Sequence, residues 1–202
     1  MTEQQLPGQA ALAALVAAET ENVQLATEIA GSVESFLDAV RLIAEQARGG
    51  QAVSLLLLQI SQVSLAGARL GAVTDFEPRE EFQPDVGPDS DLDDQRMRLA
   101  DLLGNVDTYS FVFDPYDPEI VESQLSDDIT SIAADLDNGL RHYRNGDVAE
   151  ALWWWQFSYV NNWGNLAGAV LNALLMVVAH DRLDVDVIDE HEQLEAAEAL
   201  DA

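Results

Sequence analysis

The sequence predicts an all-α protein: a single-domain irregular bundle of about five helices around a long buried C-terminal helix, with one long acidic loop. Three observations point there. Apolar residues recur at helical spacing in several segments, residues 151–180 carry no formal charge, and one segment alone alternates as a strand would. A chain of 202 residues is long enough for one domain with a sizeable core. The expected division is an N-terminal helical segment over residues 1–30, whose docking the pattern leaves open, a bundle over 31–182, and an acidic tail over 183–202.

Residues 9–30 are rich in Ala and Leu, which favour helix, but Leu12, Leu15, Val16, Val23 and Leu25 fall only partly in phase. A clearer helix is expected from Ser32, placed as its N-cap, to residue 46. Val33, Phe36, Leu37, Val40, Ile43 and Ala44 mark its buried face. Gly49-Gly50 ends it. Over residues 51–73, Leu55, Leu56, Leu57, Leu58, Ile60, Val63 and Leu65 cover more than one face, so contacts on two sides are expected. The short gap implies an antiparallel pair.

Residues 75–94 hold Pro78, Pro84, Pro88, Gly87 and nine acids, a composition that reads as a long solvated loop. A short helix follows over 95–103, with Met97, Leu99, Leu102 and Leu103 turned inward. Tyr109, Phe111 and Phe113 then alternate as an extended piece, and Pro115 and Pro118 oppose helix. No partner strand is evident, so no sheet is expected. Ser126 can cap a helix over 127–144 whose buried face is Ile129, Ile132, Ala133, Leu136, Leu140 and Tyr143. Asn145-Gly146 closes it, and Asp147 with Glu150 forms a capping-box-like start for the next helix. In the tail, Glu192, Glu195, Glu198 and Asp201 suggest a solvated or disordered end.

The uncharged stretch holds all four tryptophans, Trp153, Trp154, Trp155 and Trp163, and reads as one helix through the core. At 100° per residue, Trp153, Phe157, Val160, Leu171, Leu175 and Val178 form one apolar stripe. Trp155, Tyr159, Trp163, Leu166, Val170, Ala173 and Val177 form a second. Gly164 and Gly168 would let another helix approach closely. The remaining sector holds Trp154, Ser158, Asn161, Asn162, Asn165, Asn172 and His180. Buried Asn and Ser need partners, so two readings stay open. The sector faces water or bonds neighbouring backbone, or it walls a ligand cleft made by Trp154, Ser158, Asn161, Asn165 and Asn172.

FVFDPY at residues 111–116, DITSIAADLDNGL at 128–140 and, most specifically, LWWWQFSYVNNWG at 152–164 resemble the uncharacterised bacterial family called domain of unknown function 5063. The likeness covers roughly the second half of the chain. It implies a small helical bacterial protein and brings no established activity. Asn162 stands where that family commonly has His before its Trp-Gly pair.

Chemistry is sparse in the sequence. With no Cys there is neither a disulfide nor a thiolate metal site, and no nucleotide loop, hydrolase elbow or HExxH motif occurs. His142 lies at a helix end and His180 beside Asp181, both readable as structural. Asp89, Asp91 and Asp93 mimic the start of a calcium loop, but Asp94 and Ala100 stand where Gly and Glu are required. Asp114, Asp128 and Asp135 are the weak metal candidates, with Asp128 and Asp135 two turns apart on one helical face. Turn formation beside Pro115 is the preferred reading of Asp114. No cofactor is expected.

The formal net charge is -28, and every one of the nine cations is Arg. Such a charge repels phosphate backbones and anionic lipid, so direct binding of nucleic acid or a membrane is not expected. It reflects either a generally acidic, Arg-biased surface or the docking of a basic partner. The N-terminus has no positive start of a secretory signal, and no membrane span is predicted because Ser, Gln and Asn interrupt the apolar stretches. The leading expectation is a cytoplasmic, non-enzymatic interaction or accessory protein with an acidic surface. The alternative is a small-molecule-binding or metal-dependent enzyme with a cleft beside the polar face of the long helix. A third reading has the protein occupy a basic DNA-binding partner. Oligomeric state is left open.

Overall fold

The computed structural model describes the backbone of residues 9–78 and 86–200, and the side chains of 16–48, 50–78 and 86–182. The protein is mostly helical. Its elements are α1 (Gln9–Gln46), α2 (Gly49–Gly71), α3 (Asp93–Leu103), β1 (Thr108–Asp114), β2 (Asp117–Gln124), α4 (Leu125–Arg144), α5 (Val148–Ser158), a π-helical turn (Tyr159–Trp163) and α6 (Gly164–Leu200). The expectation of a purely helical chain is therefore corrected. β1 and β2 form an antiparallel hairpin in which Phe111 opposes Val121 and Val112 opposes Ile120. The second strand escaped notice because Pro118 and three acids surround its two apolar residues, Ile120 and Val121. In a two-stranded sheet both strands are edges, where a proline's missing N–H is tolerated.

The helix start expected at Ser32 is also absent. α1 runs unbroken through it, and the Ser32 hydroxyl donates back to the Glu28 carbonyl at 3.0 Å. That back-bond gives the hydroxyl a partner without ending the helix. Ala26, Ile29, Ala30, Val33, Phe36, Val40 and Ile43 form one buried face, so the helix enters the core at the turn of Leu25 and Ala26. α2 returns along α1 and lies between α1 and α6. Gly67 is what permits the close approach of α2 and the π turn, because a Cβ there would strike the Trp163 and Tyr159 rings. Gly168, expected to serve a helix contact, faces open space instead.

α4 crosses the bundle and meets α1, α3, α5 and α6. Ser126 is not its cap. The Ser126 amide and hydroxyl both donate to the Asp107 carboxylate, at 2.8 and 2.9 Å, so the capping group arrives from nineteen residues earlier in the chain. At the other end the Asn145 N–H reaches the Arg141 carbonyl and the Asp147 N–H the His142 carbonyl. Gly146 sits between them at φ +83°, the left-handed position such a C-terminal stop requires. Asp147 occupies the N-cap position of α5, but its side chain makes no capping hydrogen bond. Residues 79–85 of the acidic loop lie outside the described residues. Its later part is pinned to α4, where Arg141 donates to the carbonyls of Gly87 and Pro88 at 3.2 and 2.7 Å, and Ser90 bonds Asp137.

Trp155 and Trp163 are fully buried, beside Leu152, Leu166, Ala167, Val170 and Leu174. Of the first stripe, Phe157, Val160 and Leu175 are exposed, Val160 at 68%, while Trp153, Leu171 and Val178 are half-buried, so the long helix is buried mainly on one side. A π-helical turn over Tyr159–Trp163 interrupts the helix between Ser158 and Gly164, and the buried side continues across it from Trp155 to Leu166 and Val170. α6 continues to Leu200, beyond the start of the acidic tail; the side chains of 183–202 lie outside the described residues. Among the described residues, 50–71 and 148–182 are long and apolar enough to cross a membrane by length and composition. In this fold α2 and α6 pack against each other, and both contribute to the shared core.

Candidate functional site

The π turn decides where the polar side chains of the long helix go. Side chains in and beside the turn donate to backbone carbonyls of the same helix. Ser158 donates to the Trp154 carbonyl at 2.7 Å, Asn161 to that of Phe157 at 2.9 Å, and the Trp163 indole N–H to that of Trp155 at 3.3 Å. Gly164 closes the turn, its N–H reaching the Tyr159 carbonyl. A Cβ on Gly164 would lie 2.5 Å from that same oxygen, so no larger residue fits there unshifted.

The turn also swings Asn162 toward α4. Its amide donates to Oδ2 of Asp135 at 2.7 Å, while the Trp154 indole N–H donates to the Asp135 backbone carbonyl at 2.9 Å. Asp135 is thus the point where the long helix is fastened to α4. Burial pushes its carboxyl above the ordinary carboxylate range, with the Asn162 bond opposing. Two turns earlier on α4, Asp128 is buried beneath the hairpin and accepts the Tyr109 hydroxyl at 2.6 Å. Its carboxyl is pushed up too, first by burial, then by the negative charges of Asp127 and Asp107, against the Tyr109 and Ser123 hydrogen bonds. Tyr109 itself is pushed well above the usual phenol range by burial and by Asp128.

The hairpin is held on its other side by Asn165, whose amide donates to the Phe113 carbonyl at 2.7 Å. Along β1, Tyr109 stacks on Phe111 with centroids 5.5 Å apart, and Phe113 is tilted against Phe111 at 6.4 Å. Between β1 and α6 lies an open cleft of about 350 Å³, lined by Ser110, Phe111, Val112, Asn165, Gly168 and Asn172 among others. Of the five residues expected to wall one ligand cleft, then, Asn165 and Asn172 meet at this cleft. Trp154 and Ser158 are spent on backbone carbonyls, and Asn161 is exposed on another part of the turn.

Asp114 takes the Tyr116 amide at 2.8 Å and so shapes the hairpin turn. It is separate in role from Asp128 and Asp135, and among the described residues no three His, Asp or Glu side chains group as metal ligands. A larger cleft of about 810 Å³ opens elsewhere, where α1, residues 73–77 and the α4–α5 turn meet; Glu19, Glu21, Asp75 and Glu77 stand on its wall. It contains none of the residues expected to wall a ligand cleft or hold a metal. The sequence reading misses Asp107, and it places Asn162 in the polar sector but not among the cleft candidates. Spacing alone does not say that Asn162 reaches Asp135, and Asp107 caps a helix too distant in sequence to suggest it.

With this geometry in place, the likeness to known proteins can be stated. The family described as domain of unknown function (DUF5063) matches residues 20–180. The chain belongs to DUF5063. The match runs from within α1 to about the middle of α6, so the hairpin, the π turn and the Asp135–Asn162 bond all lie inside the DUF5063 region. A crystal structure of protein BF1032 from Bacteroides fragilis is similar, with 17% identity, a TM-score of 0.59, and coverage of 75% of this chain and 90% of that one. At that identity the likeness concerns the fold. None of the curated proteins matches the DUF5063 chain.

Proposed function

We propose that this protein is a non-enzymatic interaction or accessory protein of the cytoplasm, working through its acidic surface on a basic protein partner. Direct contact with nucleic acid or membrane is not part of this role, because the net charge of -28 opposes both. The observation that carries the reading is the use made of the polar row. Trp154, Ser158, Asn161, Asn162 and Asn165 all donate to oxygens of the protein itself: Trp154 and Asn162 fasten the helix to α4, Asn165 to the hairpin, and Ser158 and Asn161 bond the helix's own carbonyls. Asp128 and Asp135 fit the same role. Asp128 accepts the Tyr109 hydroxyl and Asp135 the Asn162 amide, so each carboxylate joins α4 to a neighbouring element.

Sedimentation of native lysate from cells that make the protein tests the proposal. At low salt the chain is expected in a species heavier than the free protein, and high salt is expected to release it, since screening weakens attraction between exposed charges. Migration as the free chain at low salt would count against an interaction role.

A further inference from the structure

The hairpin displays apolar side chains that the bundle does not cover. Tyr116 at its tip is 97% exposed and Ile120 is 79% exposed, with Val112, Phe113 and Val121 also open to solvent. Val112 and Ile120 are directly opposed across the two strands, so they form one continuous patch on one face. Around them stand Asp114, Asp117, Glu119 and Glu122, and no cation occurs between Thr108 and Gln124. This hairpin is fixed at three points, at its base by Tyr109 on Asp128 and the Leu125 amide on the Asp107 carbonyl at 2.8 Å, and nearer its turn by Asn165 on the Phe113 carbonyl. An apolar patch held rigid and rimmed by charges of one sign has the anatomy of a docking surface: aromatic and aliphatic anchors at the centre, charges that select the partner at the edge.

We infer that the hairpin docks a basic amphipathic segment of another protein, with Tyr116, Val112 and Ile120 against its apolar side chains and the four acids against flanking Arg or Lys. This rests on the interaction role proposed above and assigns it a surface. Charge complementarity selects the occupant. A second copy of the chain would bring a further charge of -28 and four more acids to the same patch, and anionic phosphate surfaces are repelled by the same rim.

The test is an amide-resolved NMR titration of the full chain with a synthetic amphipathic Leu/Arg helix. A peptide of equal charge with Ser in place of Leu serves as control. The Leu/Arg peptide is expected to shift the amides of residues 112–122 first and most. Joint replacement Tyr116→Ala and Ile120→Ala should weaken it about tenfold or more, as loss of hot-spot anchors does, while leaving the Ser control unchanged. Both side chains are exposed, so the variant should keep the wild-type melting temperature. Shifts spread evenly over the acidic surface, equal affinity of wild type and variant, or concentration-dependent shifts of the hairpin amides without peptide would each overturn the assignment. The sedimentation result separates the two ideas: a heavy species that survives in the double variant removes the hairpin and leaves the interaction role standing.

Discussion

Asp135 shows how much can turn on one side chain. Its backbone carbonyl and its carboxylate receive Trp154 and Asn162, so one residue fixes both the rotation of the long helix and its distance from α4. Its folded pKa is raised above 3.8, so between 3.8 and that raised value the folded state holds more protons than the unfolded one. Stability from this group is therefore present below the window and declines as pH rises through it. Asp135→Asn removes the titration. Its melting temperature relative to wild type is expected to climb as pH rises through that window and then to level off, measured by thermal unfolding across pH. A difference that stays flat with pH would show that Asp135 titrates normally. Little of this was legible beforehand. Asp128 and Asp135 could be placed on one face of a helix from their spacing, but their partners, Tyr109 and Asn162, come from segments whose approach depends on the tertiary fold.

Elements were legible where the pattern was local. The buried face of α4 from Ile129 to Leu140, the stop at Asn145-Gly146, and the stripe of Trp155, Trp163, Leu166 and Val170 all followed from helical spacing. What spacing could not give was the π turn, because YVNNW is as compatible with an uninterrupted helix, nor which of two apolar stripes would meet the core: Val160 and Leu175 are exposed, Trp155 and Val170 buried. β2 was hidden for a different reason. Its pairing lies in the backbone, and its acids and proline give no alternating signal. The contact of α4 with α5 rests on a missing side chain: Gly139 lies under the Trp155 ring, whose indole N–H donates to the Leu136 carbonyl at 3.0 Å. Gly139→Ala would push a methyl into that buried ring. Overpacking of this kind costs about 1–3 kcal/mol, so a lower denaturant midpoint at unchanged slope is expected. Wild-type stability in this variant would mean that α4 and α5 can separate without penalty.

At the scale of the molecule, thirty-seven acids are set against nine arginines, and several of the arginines join elements rather than dot the surface. Arg144 reaches Glu34 at 3.0 Å between α4 and α1, Arg96 reaches Asp127 at 3.2 Å between α3 and α4, and Arg69 holds Glu28 between α2 and α1. The Arg69 hydrogen bond keeps the Glu28 carboxyl below its ordinary range. Exposed pairs of this kind contribute little individually, about 0–1 kcal/mol each, so the shared apolar core carries the fold. The acids left over give the surface its character, and the hairpin is where they surround apolar side chains. Two surfaces thus compete for the functional role, the carboxylates beneath the hairpin and the patch on top of it. Sedimentation of native lysate at low salt decides between them when two variants are compared. Tyr116→Ala with Ile120→Ala is expected to abolish the heavy species, and Asp128→Asn with Asp135→Asn to keep it. Loss of the heavy species in the folded carboxylate variant, with the hairpin variant behaving as wild type, would contradict the account.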